Sequence, residues 1–270
     1  MKTHNSFILL ILLLTFSSAS AQDAQLASAK VIEVVGTVSK NSADGQSSQL
    51  KVGEIVKEGA SITTAKLSMA KLVFSNGSEM TIEENTRITI AELQQDAFTG
   101  GKSYEQLQAD PSKSQTLLEL NYGEINGHTK KLQPGSNFKI KTPLGTAAIR
   151  GTRWSIMLIF NPERGEFILI TNNKDGALDI ISKYGGTVSD RSEKTEAVEA
   201  GKAAVITLSK TDPEFDAVFD LIKNVIPIGL QPPVITPGTP GPVPGPDDDF
   251  GIIVVSPEGP AGRVDANDDN

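Results

Sequence analysis

No cysteine occurs anywhere in the 270 residues. Its absence excludes disulfides, thiolate chemistry, cysteine-ligated zinc and a lipid anchor on an N-terminal cysteine. Histidine is almost as scarce, with His4 near the start and His128 in the body. One body histidine cannot build a His-rich metal site, and no serine lies in a nucleophile elbow. His128, flanked by Gly127, reads as a solvated loop residue rather than a general base. Aromatic residues make up 5% of the chain, with one Trp and three Tyr. Trp154 and Tyr122 could stack on a sugar, but core packing is the first reading for both. Lys and Arg number 25 against 33 Asp and Glu, for a net charge of −8. No basic stripe is present to replace the counterions of a nucleic acid or to meet an anionic membrane surface.

The acidic residues that are there do not form a catalytic pair. Glu83 and Glu84 are adjacent, so a strand would point their carboxylates to opposite faces. Gly145 and Gly151 have the wrong spacing for a phosphate loop, and no Lys follows the second. Asp265, Asn267 and Asp269 alternate as in a calcium loop, but the turn glycine is missing and no bidentate Glu follows. No catalytic, cofactor-binding or metal-ligating residue is therefore expected, and no cofactor.

Long apolar runs are also few. Lys2, the apolar stretch Phe7 to Phe16 and the small residues Ala19-Ser20-Ala21 have the layout of a secretory signal spanning 1–21, with the mature chain expected from Gln22. No later segment approaches the ~20 apolar residues of a membrane helix. An exported protein, periplasmic or extracellular, without a membrane span after cleavage is the expectation. Most of the charge lies at the far end. Gln231 to Asn270 holds seven acidic residues and one basic, a net of −6.

Between these ends the chain reads as short strands. Val31 to Val38 is a first one, and Leu50, Gly53, Val56, Gly59 and Ile62 then recur every third residue, a spacing that suggests short extended pieces with sharp corners. Ala70, Leu72 and Phe74 alternate, Asn76-Gly77 predicts a type I′ hairpin turn, and Met80 and Ile82 return. Gln94 to Gln115 reads as an insertion or long loop with a short helix from Ser103 to Ala109. Leu118, Leu120, Tyr122 and Ile125 resume a strand turned at Gly123, before a loop from Gly127 to Gln133. Strands are further expected at Phe138 to Lys141, Thr152 to Phe160, Glu166 to Thr171, Ala177 to Ser182 and Ala203 to Leu208. One helix, 211–226, has Asp212 as its cap, a Thr211/Glu214 capping box and Phe215, Val218, Phe219 and Ile222 on one face. From 227 to 270 the Pro-rich, acidic composition predicts a disordered tail. Within it Phe250, Ile252 and Val254 belong to a hydrophobic island that could dock on its own body or add to another protein's sheet edge.

The most specific stretch is Lys139 to Trp154. Pro143 ends one strand, small residues follow, and Gly151 precedes the next. Arg150 stands out there. Its guanidinium either forks onto carbonyls and a carboxylate to order the turn or faces a partner.

Taken in order, Gly36-Thr37-Val38, Leu50, Gly53, Gly59, Ile62-Thr63-Thr64, the run Ala70 to Ser78, Met80-Thr81-Ile82 and Leu118 to Gly123 resemble the FecR domain. So, above all, do Phe138 to Pro143 and Ile149-Arg150-Gly151-Thr152. The similarity is strongest over Val31 to Trp154, with a domain expected across 22–210. It implies a twisted all-β body, solenoid-like or jelly-roll, with one C-terminal helix. It assigns no catalytic residues, and Thr142, Pro143, Arg150, Gly151 and Thr152 stand as a structural signature. Founding members of the family relay a signal from an outer-membrane transporter to a cytoplasmic sigma factor; here a cleavable signal stands in place of a sigma-binding segment and membrane anchor. The resulting expectation is a non-enzymatic, exported scaffold or signalling module that binds an envelope protein or exported polymer. One alternative is a carbohydrate or peptidoglycan-binding module using Tyr104, Tyr122 or Tyr184. Another is a hydrolase, which would need two carboxylates facing a cleft.

Overall fold

A computed structural model describes residues 27–98, 102–184 and 193–227, and the backbone of 253–255. The expected signal segment, most of the tail, Phe250 and Ile252 lie outside the described residues. In chain order the first strands are β1 (Ala29–Val35), β2 (Val38–Asn41), β3 (Ser47–Gln49), β4 (Ile55–Val56), β5 (Ser61–Thr64), β6 (Met69–Phe74), β7 (Glu79–Ile82) and β8 (Arg87–Gln95). A long β9 (Ser114–His128) follows, then β10 (Asn137–Lys141), β11 (Thr146–Arg150), β12 (Arg153–Asn161), β13 (Glu166–Asn173), β14 (Ala177–Ser182), β15 (Lys194–Val198) and β16 (Lys202–Ser209). One helix, α1 (Phe215–Ile222), and a last strand, β17 (Ile253–Val255), complete the set. The fold is all-β, as the alternation of apolar and polar residues demands.

Two layers of strands are built from these pieces, and β9 belongs to both. One layer runs β4-β1-β6-β7-β9-β12-β13-β16-β17. The other runs β3-β2-β5-β8-β9-β10-β11-β14-β15. We call them the first and second layer. Among the described strands β9 and β10 pair in parallel, and the other pairings are antiparallel. The chain passes from layer to layer at glycine corners, for example at Gly53 (φ 84°) and Gly59 (φ 82°). L-residues reach that left-handed region only with strain, which explains the every-third-residue glycine pattern.

The two inner faces meet in one core. Phe74 of the first layer stands edge-on to Phe138 of the second with ring centroids 5.6 Å apart, and Phe138 packs on Trp154 at 6.1 Å. Trp154 is buried, and its indole N–H donates to Thr129 Oγ1 at 2.9 Å. Helix α1 closes one end of the stack. Phe215, Val218 and Ile222 are buried, and the Phe215 ring lies 5.2 Å from that of Phe167 and 6.2 Å from that of Phe160.

Several local expectations are corrected. The β6–β7 hairpin exists, but its turn is not type I′, because Gly77 has φ 82° while Asn76 is not in the positive-φ region. Instead Gly77 N–H donates to Phe74 O and Asn76 Oδ1 accepts from Ser78 N–H at 2.9 Å, giving a type I turn closed by a left-handed glycine. Gly127 and His128 are not loop residues. They end β9, paired with Met80 and Glu79 on one side and Trp154 and Arg153 on the other. Their backbone groups are satisfied by the sheet, so no loop is needed. The expected helix after Ser103 is one 3₁₀ turn, Tyr104–Gln106, with Ser103 N–H donating to Gln106 Oε1. That insertion lies across the outside of the first layer, where Tyr104 Oη and Ser28 Oγ are 2.9 Å apart. Helix α1 starts at Phe215 rather than near Asp212, because Asp212 Oδ2 accepts the N–H of Ser209 at the end of β16.

Candidate interaction surface

The signature residues occupy the two ends of β11. At one end Thr142 to Gly145 turns β10 into β11. Thr142 N–H donates to Gly145 O, and Thr142 Oγ1 accepts the N–H groups of Leu144 and Gly145 at 3.2 and 3.0 Å. One hydroxyl thus satisfies two turn amides, and Pro143, which lacks an N–H, sits where no donor is needed. Thr142 and Pro143 also border a cleft of 190 Å³ with Asn121, Lys141 and the exposed Leu221 of α1. That volume suits a single side chain rather than a polymer.

At the other end, Gly151 (φ 62°) turns the chain toward β12. Thr152, fully buried, places Oγ1 2.7 Å from Asn173 Oδ1, and Asn173 Nδ2 donates to Val198 O at 2.6 Å. Asp175 accepts from Arg153 N–H at 2.7 Å and from Arg153 Nε at 2.7 Å. These bonds, the backbone one first, hold its carboxyl below the usual range despite some burial. The guanidinium that orders this turn therefore belongs to Arg153. Arg150 reaches across the outside of the second layer to Asp179 Oδ2 at 2.5 Å, with its own side chain 61% exposed. Among the described residues it bonds this carboxylate without a fork onto carbonyls, so it makes an exposed cross-strand ion pair and does not order the turn.

His128 stands on the outer face between Glu79 and Arg153, its Nδ1 3.4 Å from Lys130 Nζ. Burial and the Lys130 charge hold the imidazole below its ordinary value. A carboxylate pair that the sequence did not announce lies farther along the same face of β9. Glu83 N–H donates to Glu124 O across β7 and β9, and Asn126 Nδ2 holds Glu83 Oε1 at 2.6 Å. Burial, and then the Glu83 charge, push the Glu124 carboxyl up, with Lys174 opposing. The pair stands on the open outer face of the sheet. Glu84, its sequence neighbour, instead accepts the N–H of Leu67 at 2.6 Å. No three His, Cys, Asp or Glu side chains gather into a metal-holding group among the described residues.

The tyrosine platform fares poorly. Tyr122 and Tyr184 are buried, and burial pushes the Tyr122 hydroxyl up. Tyr104 is half-buried with its hydroxyl against Ser28. Among the described residues the strongly exposed large apolar side chains are Val35, Val52, Ile55, Leu67 and Leu221, none of them aromatic.

A different surface stands out. Along β12 and β13, residues that face away from the core are also apolar. Cross-strand pairing aligns Met157, Ile170 and Val205 in one row and Ile159 with Ile168 in the next. Their inward neighbours Ile156, Leu158, Leu169 and Ile206 fill the core. These five outward side chains are half-buried and form an apolar field beside β16, whereas the same face over β7 and β9 carries Glu79, Glu83, Glu124, Asn126 and His128. The sequence signal was available. Ile156 to Phe160 and Phe167 to Ile170 are unbroken apolar runs, the pattern of strands covered on both faces.

Residues 60–159 match the model of a family described as FecR protein. The matched residues run from β5 through most of β12, the centre of both layers. The search of curated proteins returns no match. Two crystal structures, at 1.65 and 2.50 Å, of a candidate anti-sigma factor from Parabacteroides distasonis ATCC 8503 are similar at 10% identity and a TM-score of 0.37. The likeness covers 56% of this chain and 56% and 55% of theirs, so this chain spans little more than half their length. At that level it decides neither fold nor partner.

Proposed function

We propose that this chain is an exported, non-enzymatic FecR-type module that acts by binding a protein of the cell envelope. The observation that carries the reading is the outward apolar field of Met157, Ile159, Ile168, Ile170 and Val205, on a face whose other half is charged. A soluble sheet usually alternates apolar inside with polar outside. Five apolar side chains on the wrong face lower solubility and contribute nothing to this core, which is what a recognition surface requires. The FecR segment supports a regulatory, partner-binding role, and the export reading comes from Lys2, Phe7 to Phe16 and Ala19-Ser20-Ala21.

The test compares the wild type with an Ile168→Ser, Ile170→Ser double variant in cross-linking and pull-down from envelope extract. A protein captured by the wild type, lost from the variant at unchanged melting temperature, is the expected result. Equal recovery by both, or no recovery by either, removes the reading. The export step is checked separately by N-terminal sequencing of the protein from the periplasm or medium, where Gln22 is the expected first residue.

A further inference from the structure

The apolar field ends at β16, and among the described residues one short strand, β17, pairs with the outer side of that strand. On its inner side β16 pairs with β13 over all eight residues, Lys202 to Ser209. On its outer side it pairs with β17 over three, Ala203 with Val255, Ala204 with Val254 and Val205 with Ile253. Past β17, Ser209 N–H and Ser209 O are bonded by Asp212 Oδ2 and Asp212 N–H, and Thr207 has no strand on that side among the described residues. The edge is also long: the other terminal strands of the two layers, β3, β4 and β15, have three, two and five residues. Long, unguarded edges invite pairing with another strand.

What this edge would accept follows from its two flanks. A strand added beside β16 has the core residues Ala204, Ile206 and Leu208 on one side of the sheet and Val205, beside Ile170 and Met157, on the other. Alternating apolar and polar residues would leave one flank mismatched. An unbroken apolar run fits both. Ile252-Ile253-Val254-Val255 is such a run, and it follows an acidic triplet, Asp247 to Asp249, and a segment with seven prolines between 228 and 252. Ala203, although it faces outward, is 4% exposed at the position where Val255 stands opposite it.

We propose that the outer edge of β16 is a strand-accepting site, held in cis by Ile253–Val255, and that its partner in trans is an extended segment of another protein with four or more consecutive apolar, largely β-branched residues. The proposal rests on the partner-binding reading above and names the mode: main-chain pairing supplies affinity and the two-sided apolar requirement supplies selectivity. Three paired residues make few main-chain bonds, so the cis strand is displaceable. Its covalent connection nevertheless raises its effective concentration at the edge, which sets the threshold a partner must exceed.

The test uses the full-length chain and an Ile253→Pro variant, whose proline removes the ladder donor opposite Val205. The probe is a labelled synthetic peptide with the sequence of residues 248–257. Hydrogen exchange followed by mass spectrometry is expected to show the Ala203 and Val205 amides, which face β17, exchanging at least tenfold faster in the variant. The peptide is expected to restore that protection, and to bind the variant at least tenfold more tightly than the wild type. A peptide of equal composition with its apolar residues separated by Ser and Asp is expected not to bind. Unchanged exchange at Ala203 and Val205, equal binding by wild type and variant, or equal binding of the rearranged peptide each overturns the proposal. So does a wild-type dimer that the variant lacks, since it would assign the edge to strand exchange between copies. None of these measurements needs the envelope partner, so a failed pull-down and a failed edge are told apart.

Discussion

At the scale of single residues, the signature splits by burial rather than by charge. Arg150 and Asp179 form an exposed pair, and such pairs are screened by water and lose side-chain entropy. Arg150→Ala is expected to change stability by less than about 1 kcal/mol. Thr152 is the opposite case. Removing its hydroxyl in Thr152→Val leaves the buried Asn173 Oδ1 without that donor, at a cost of about 1–3 kcal/mol. Urea unfolding of the two variants checks the order, and a larger loss for Arg150→Ala would reverse the assignment. Titration offers a second contrast. The Glu124 carboxyl is raised above its ordinary 4.5 by burial and by Glu83. A raised carboxyl favours the folded state when protonated, so its contribution is present below about pH 4.5 and is lost as pH rises through the folded value. Glu124→Gln is therefore expected to melt higher than the wild type at pH 7 and level with it below pH ~4. Glu105 behaves in reverse, since its own backbone N–H and then Lys30 lower it to about 2, and its contribution is lost as the pH falls toward that value. Melting curves of Glu124→Gln at both pH values decide the sign.

At the scale of elements, β9 is the piece on which the architecture turns, because one strand serves both layers. Its passage between them is made at Gly123, with φ 98° and a Cβ position that would lie 2.5 Å from the Cα of Thr86. The Thr86 hydroxyl accepts Glu124 N–H there at 2.9 Å, so the neighbour cannot move away without losing that bond. Gly123→Ala is expected to cost about 3 kcal/mol, against about 1 kcal/mol for Gly201→Ala, which shares a positive φ (76°) but has open space around it. Denaturant midpoints of the two variants measure the difference, and equal losses would mean that conformational strain alone matters. This contrast also marks how far the sequence could be read. Strands, hairpins and glycine corners were legible because each leaves a local pattern: alternation at Ala70 to Phe74, a turn dipeptide at Asn76-Gly77, a bend at Gly123. The length of β9 was not, since Gly127 and His128 look like a loop until β7 and β12 supply partners for their backbone. Helix α1 was visible by its apolar face but not its start, because Asp212 bonds to the end of β16. The surface was the least legible. Arg150 drew attention for its place between Ile149 and Gly151, yet the fork at that turn comes from Arg153, whose partner Asp175 is 22 residues away. The apolar field was hidden by its own regularity, since runs such as Ile156 to Phe160 read as strand without saying which faces are covered.

At the scale of the whole molecule, the shared strand and the shared core make the two layers one folding unit. Rings from both layers meet at Phe74, Phe138 and Trp154, and β9 cannot leave one layer without pulling on the other. The single tryptophan sits at that junction, its indole N–H tied to Thr129 just beyond the end of β9. Its fluorescence therefore reports on contact between the layers, while far-ultraviolet circular dichroism reports on strands in both. If the layers are one unit, the two signals follow the same urea curve with one midpoint, the signature of a two-state transition. If either layer could persist alone, strand signal would outlast the tryptophan environment and the midpoints would separate. The β16 edge makes an additional demand on the same experiment. Because β17 adds three residues to a strand already held by β13 and the core, the Ile253→Pro variant is expected to keep the wild-type midpoint within about 0.5 kcal/mol, the range of surface substitutions. A larger loss would show that the last strand is part of the folding unit and not a displaceable occupant of its edge.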